Sequence, residues 1–159
     1  MNTEKAKQVA SLSELLEIKA KDNICITADI DCKGQVIPYI SEMFRGTIEG
    51  NNHTISNLTI SDEVWGNEQS IALFHYLSHA TISNLHFKKV RFEIDKNGYT
   101  PRIAGLCYEC GASTLENVSM ELTTSFNDEV SLIYEANSVK TSDLAMTCNG
   151  KSVETIINM

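Results

Sequence analysis

No stretch of this 159-residue chain offers the roughly twenty consecutive apolar residues that a helix needs to cross a bilayer. Its amino terminus, MNTEKAKQVASLSELLEIKAK, also lacks the apolar centre of about 7–15 residues that marks a secretory leader. Together the two absences set the expectation of a cytoplasmic protein. Basic residues are scarce as well: 13 Lys and Arg stand against 21 Asp and Glu, for a net charge of −8. Such a surface repels phosphate backbones and anionic lipid, so direct binding to nucleic acid or membrane is disfavoured, and a partner recruited by charge should itself be basic. A full disulfide framework is excluded, because the five cysteines (Cys25, Cys32, Cys107, Cys110 and Cys148) are odd in number and irregular in spacing. They read as buried or half-buried thiols in a reducing compartment. Sequons at Asn52, Asn57 and Asn117 would matter only in a secreted eukaryotic protein.

What is present is ordinary globular material, 42% hydrophobic and 21% charged. The length suits one domain, which buries roughly 70% of the surface its unfolded chain exposes. Within it one phrase recurs. HTISNLTI at 53–60 returns as ATISNLHF at 80–87 and, altered, as STLENVSM at 113–120. Aligning Asn57, Asn84, Asn117 and the Asp143 of TSDLAM gives steps of 27, 33 and 26 residues. Leu73, Leu106 and Leu132 stand eleven residues before the last three of these. Two landmarks at constant separation, recurring with a near-constant period, make a structural repeat.

The unit is short strands separated by corners. In TISNLTI, Ile55 has odd parity while Leu58 and Ile60 are even, so the chain must bend at Ser56–Asn57 if all three are to point inward. Asn tolerates the left-handed backbone that such a bend requires. Corners and short strands repeating in this way describe an all-β solenoid, a right-handed parallel β-helix of about four coils stacked ~4.8 Å apart. Asn57, Asn84 and Asn117 would then form one polar ladder. An inward Asp143 would close it at a desolvation cost and fray the last coil. Leucine-rich repeats are excluded by the spacing and by the want of helical segments between strands.

The segments LLEIKAKDNICITADIDCKG, MFRGTIEGNNHTISNLTI, ALFHYLSHATISNLHF and AGLCYECGASTLENVSM resemble the right-handed β-helix repeats of the GLUG type, over roughly residues 12–147. Those repeats are common in large bacterial surface and adhesin proteins. The resemblance implies a scaffold or adhesion surface and little chemistry.

The domain plan is a flexible 1–11, a capping helix over 12–20, coils over 24–147 and a C-terminal end over 148–159. The helix is expected because Ser11 and Glu14 have capping-box spacing and Leu12, Leu15 and Leu16 follow at helical spacing. It would lie over the first coil as a lid. No polar plug follows KSVETIINM, so an open C-terminal end favours homo-oligomers or a strand-adding partner.

Candidate chemistry is thin. CYEC, with Cys107 and Cys110, has metal or redox spacing, but no second pair completes a zinc set and no helix N-terminus activates a thiol. His75 and His79 would share a face only on a helix, and His86 lies opposite the inward Leu85 and Phe87. No nucleophile elbow is present. The expectation is no catalytic residue, no metal and no cofactor.

The inserts between coils are more informative. SDEVWGNEQS, EIDKNGYTPR and TSFNDEV should leave the stack on one side. They bring the aromatics Trp65, Tyr99 and Phe126 together with Asp62, Glu63, Glu68, Glu93, Asp95, Asp128 and Glu129, a composition suited to a binding hot spot. Residues 103–139 contain no Lys or Arg, and the six acids there, Glu109, Glu116, Glu121, Asp128, Glu129 and Glu135, could form an acidic face that imitates nucleic acid. The favoured reading is a non-enzymatic protein-binding module, an inhibitor or immunity-type protein such as a phage-encoded antagonist of a host nucleic-acid-binding enzyme. The alternatives are a carbohydrate-binding or glycan-cleaving β-helix module and an adhesin fragment.

Overall fold

The computed structural model describes residues 6–61, 70–93, 102–124 and 130–158. The chain is mostly β. It opens with β1 (Lys7–Val9), a single helical turn α1 (Leu12–Leu16), β2 (Asn23–Ile26), β3 (Ile30–Asp31), β4 (Val36–Ile37) and β5 (Ser41–Phe44). There follow β6 (Thr47–Ser56), β7 (Thr59–Ser61), β8 (Ser70–Ile71), β9 (Phe74–Ser78), β10 (Thr81–Glu93), β11 (Arg102–Gly111) and β12 (Thr114–Thr124). The last are β13 (Val130–Asn137), β14 (Lys140–Cys148), β15 (Lys151–Ser152) and β16 (Ile156–Asn158).

Two sheets result. The first runs β1-β2-β6-β10-β12-β14-β15, with β3, β4 and β7 alongside, and the second runs β16-β13-β11-β9-β5, with β8 beside β11. From β5 onward the long strands enter the two sheets alternately, and strand pairing is parallel everywhere except between β14 and β15. Lateral neighbours are therefore distant in sequence: Thr47 donates to Asn23 across 24 residues, and Ser83 donates to Glu49 across 34.

The core is built of inward files. Ile24, Ile48, Ile82 and Leu115 are register partners in turn, as are Ile30, Ile55, Phe87, Met120 and Met146. All nine are buried. The three anchor leucines are fully buried, each one residue ahead of the matched set Phe74, Cys107 and Ile133. Packing like residues over like residues removes apolar surface from water at roughly 25 cal/mol per Å².

Left-handed residues make the parallel files possible. In β10 the buried positions are Ile82, then Leu85 and Phe87, then Val90 and Phe92. Each change of parity follows a residue with positive φ, Asn84 at 54° and Lys89 at 53°. One left-handed residue turns the strand and resets which side chains point inward. The bend expected at Asn57 is present, with φ 58°.

The single ladder is not. Asn84, Asn117 and Asp143 occupy one corner, bracketed by the register pairs Ser83–Glu116–Ser142 and Leu85–Val118–Leu144. Asn57 belongs to a different corner: Gly34 donates to its carbonyl at 2.7 Å and its own N–H donates to Lys88 at 3.1 Å. Its left-handed neighbours there are Lys33 and Lys89, both at φ 53°. The true counterpart of Asn84 is the bulge Gly50–Asn52, since Ser83 pairs with Glu49 and Leu85 with His53. Asp143 is exposed, so the expected desolvation cost does not arise.

Both ends depart from expectation. Lys7–Val9 is a strand, with Val9 fully buried and its carbonyl accepting from Thr27 at 3.0 Å. The first half of the capping box forms, with Ser11 Oγ accepting from the Glu14 N–H at 3.3 Å, while Glu14 Oε1 accepts from the Ala10 N–H at 3.1 Å, one residue ahead of the N-cap. The helix nevertheless stops at Leu16 and does not reach residue 20. Asp22 accepts the Lys19 N–H at 2.8 Å and folds the chain into a turn. Five residues rise only about 7–8 Å, too little to roof a coil, so α1 contributes a buried Leu15 and not the capping helix. At the other end Asn149 (φ 52°) and Gly150 (φ 81°) form the two-residue turn that brings β15 back antiparallel along β14.

Candidate functional site

Tyr-Glu occurs at 108–109 and again at 134–135, in each copy two residues beyond an anchor leucine. Cys107 pairs with Ile133 and Glu109 with Glu135, so the two dipeptides lie on adjacent strands of the second sheet. The Tyr108 and Tyr134 rings stack with centroids 4.8 Å apart and planes within 8°. Beside them runs the file Met43, Tyr76, Glu109, Glu135 and Asn158, one residue from each of five strands. Tyr76 is half-buried, and Met43, Glu109 and Glu135 are exposed. Four members of the file, Met43, Tyr76, Glu109 and Glu135, border a shallow groove of about 230 Å³ that Cys110 also lines. His75 is buried, with Tyr39 edge-on at 5.0 Å and Tyr76 at 6.5 Å.

Alternation explains the clustering. Cys107 and Cys110 turn inward, as do Ile133 and Ala136, which leaves the two residues between each pair at the surface. Because strands β11 and β13 match in register, tyrosine falls on tyrosine and carboxylate on carboxylate. No Lys or Arg lies between Arg102 and Lys140, so nothing on these two strands beyond Arg102 neutralises the glutamates. Of the cations on the described strands, Lys7, Lys88, Lys89, Arg91, Lys140 and Lys151 lie in the first sheet and Arg102 in the second.

Of the residues singled out from sequence, Asp62, Glu63, Trp65, Glu68, Asp95, Tyr99, Phe126, Asp128 and Glu129 lie outside the described residues. Glu93 is exposed at the end of β10, 3.8 Å from Arg91. It shares with Glu121 the border of a groove of about 900 Å³ on the first sheet, together with Lys89 and Arg91. The acidic face does not form as one track. Glu109 lies in the second sheet, whereas Glu116 and Glu121 lie in the first. The register partners of Glu116 are Ser83 and Ser142, and that of Glu121 is Thr147. Among these three, only Glu109 is stacked on another carboxylate, that of Glu135. Comparison with protein-family models, with curated proteins and with solved structures finds no match to this chain.

The first sheet carries a polar network of another kind at the Asn84 corner. Asn117 Nδ2 donates to Asn84 Oδ1 at 2.9 Å and to Asn52 Oδ1 at 3.0 Å. His86 Nδ1 lies 2.7 Å from Ser119 Oγ and its Nε2 3.3 Å from Asn52 Oδ1. A neutral ring protonated on Nε2 satisfies both contacts, with the serine hydroxyl donating to Nδ1. The set has a serine beside a histidine, yet its groups are spent on one another across β6, β10 and β12, which reads as a staple between strands. Among the described residues no group of three or more His, Cys, Asp or Glu is placed to hold a metal ion. No helix there is long and apolar enough to cross a membrane.

Glu49 anchors the staple. Burial opposes its ionisation, but hydrogen bonds from Asn84, the Asn51 N–H and Ser83 outweigh it and hold the carboxyl below its ordinary 4.5. Asp29 is lowered by the Thr54 N–H and His53, and Asp31 by Asn57 and the Lys33 N–H. All three folded pKa values lie below the unfolded ones, so their contribution is fully present above about pH 4.5 and is lost as pH falls through the folded values. The urea midpoint should hold steady from neutrality to about pH 4.5 on their account, then fall. Glu49→Gln should flatten the acid limb, and a limb of unchanged slope would show that Glu49 is not a source of it.

Proposed function

We propose that this chain is a short right-handed parallel β-helix that binds another protein of basic surface through the Tyr-Glu face of its second sheet. The alternation of long strands between two sheets, with parallel register partners 17 to 34 residues apart, supports the solenoid reading. It accords with the likeness to GLUG-type repeats. A non-enzymatic inhibitor or immunity-type role fits such a face, with the partner's cations set against Glu109 and Glu135.

One observation carries the functional reading, the matched register that stacks Tyr108 on Tyr134 beside Glu109 and Glu135. Half-exposed tyrosines bring rigid contact area at low entropic cost, and the exposed, neighbouring carboxylates select the sign of the partner. The groove is shallow and open to water, which suits recognition better than acid–base chemistry. Sugar-binding surfaces use aromatic faces laid open to the ligand. Here the two facing rings cover one another, which favours protein over carbohydrate.

The test is affinity capture from native-host lysate, compared across variants by quantitative mass spectrometry. Glu109→Gln with Glu135→Gln should weaken capture of the specific partner about tenfold or more, and Tyr108→Ala by a similar factor. Raising salt should weaken the wild type. Glu116→Gln with Glu121→Gln, on the other sheet, should leave capture unchanged. Equal capture by the wild type and the Glu109/Glu135 variant would remove this face from the interface.

A further inference from the structure

The C-terminal turn holds a reactive pair of residues in an unreactive arrangement. Among the described residues six asparagines have a left-handed φ (Asn51, Asn52, Asn57, Asn84, Asn117 and Asn149), and of these only Asn149 is followed by glycine. With no Cβ on Gly150 to shield it, the main-chain nitrogen after Asn149 is the least hindered of the six. Both residues of the turn are exposed, so water and base reach them. What restrains the pair is the asparagine carboxamide. Its Nδ2 donates to the Thr124 carbonyl at 2.9 Å, and its Oδ1 accepts from the Thr124 N–H at 3.1 Å. Strand β14 pairs with β12 as far as Cys148 opposite Leu122, and the Asn149 N–H adds a bond to the Leu122 carbonyl at 2.9 Å. There the chain doubles back. The carboxamide then gives the end of β12 the donor and acceptor that a longer β14 would have given. Thr124 is 5% exposed, so the amide satisfies main-chain groups that water scarcely reaches.

We propose that Asn149 is a deamidation site kept closed by the fold, and that its modification releases the returning strand β15. The reaction is intramolecular. The Gly150 nitrogen, giving its proton to solvent base, attacks Asn149 Cγ; the bond from Cγ to the side-chain nitrogen breaks and ammonia leaves. Water then opens the resulting succinimide at either carbonyl, giving aspartate or isoaspartate, with no oxidant or reductant involved. While both ends of the carboxamide are bonded to Thr124, Cγ is held toward the neighbouring strand and cannot swing onto the nitrogen that follows. The reaction therefore waits for local opening of the turn. Afterwards the Nδ2 donor is gone, and a carboxylate oxygen stands against the Thr124 carbonyl. The isoaspartyl form also lengthens the main chain within a two-residue turn. Two acceptors face to face, with a main-chain carbonyl left unsatisfied, loosen the pairing of Lys151–Ser152 with Thr147 and Cys148. None of this depends on the docking face.

The sequence supplies a convenient readout. The tryptic peptide Thr141–Lys151 contains Asn149 and no other Asn or Gln, so exchange of the side-chain NH2 for OH is read from its mass. The full chain is held at mildly alkaline pH, either native or unfolded in guanidinium chloride, sampled over days, and digested at mildly acidic pH. Asn149 should deamidate about tenfold or more slowly in the native protein, because only the locally opened fraction reacts. Equal rates in the two states would overturn the protection by Thr124. Native protein that has reacted at this site is then separated by its added negative charge and followed by amide hydrogen exchange. The Val153 N–H, which bonds to the Met146 carbonyl at 3.1 Å just beyond β15, should exchange faster than in unmodified protein. Unchanged exchange at Val153 would show that β15 is not released. Asn149→Asp supplies the aspartyl product directly, so this second measurement stands even where little native material reacts.

Discussion

Phe87→Ala is expected to destabilise the protein by about 3–5 kcal/mol, the range for emptying a packed aromatic site. Phe87 is 1% exposed and lies mid-file, with Ile55 on one side, Met120 on the other, and Ile30 and Met146 beyond. In a continuous file of register partners, a hole at one position removes packing contacts from the residues on both sides. The neighbours are held by parallel strand pairing on both sides and cannot collapse inward without breaking it. Total stability of domains is roughly 5–15 kcal/mol, so the loss is a large fraction of the whole. Urea denaturation at neutral pH gives the number. A cost below about 1 kcal/mol would mean that the file is not continuously packed.

Gly50→Ala is the second large effect, and its cause is backbone. A Cβ at Gly50 would run into the main-chain carbonyl of Asn84 on the adjacent strand. The approach is close because the three residues Gly50–Asn52 bulge opposite Asn84 alone. A carbonyl fixed by its own strand cannot swing away, so the expected cost is about 3 kcal/mol or more. Gly105→Ala provides the contrast. Its nearest obstacles are the side chains of Met120 and Met146, which can move, and the cost should be visibly smaller. Comparable urea midpoints for the two variants would show that the Asn84 corner yields, and that the bulge is not a fixed point of the fold.

That same bulge explains what the sequence conceals. The recurrence of apolar anchors is legible because the inward files demand like residues at each level, and Leu73, Leu106 and Leu132 are found as the spacing implies. The bend at Asn is legible too, from the parity break between Ile55 and Leu58. The phase is not. HTISNLTI matches ATISNLHF in letters, but its Asn57 sits at the corner of Lys89, and the segment equivalent to TISNLHF is TIEGNNHTI. Two additional residues in the bulge hide that match from any alignment of constant length. Any of several residue types can occupy a left-handed corner, here Lys33, Asn57 and Lys89, so letter identity is a poor guide to which corner is which.

The helix fails for a related reason. Leu12, Leu15, Leu16 and Ile18 keep apolar spacing past the point where Asp22 captures the Lys19 N–H, a tertiary and local event that periodicity does not carry. The Tyr-Glu face was within reach: GLCYECG and SLIYEAN spell it twice at the same distance from the anchor. It is missed when the acids are counted along the chain, since strands β11 and β12 are consecutive in sequence but belong to different sheets.

The turn at Asn149–Gly150 has a further bearing on the molecule's behaviour in crowded solution. Parallel and antiparallel ladders space their hydrogen bonds differently, slanted and even in one, perpendicular and alternating in the other. By doubling back, Lys151–Ser152 offers an incoming copy a short border of the wrong polarity with a cation on it. A copy adding a strand in the existing parallel sense would meet the opposite polarity at Thr147 and Cys148, the two residues of β14 that the returning strand covers.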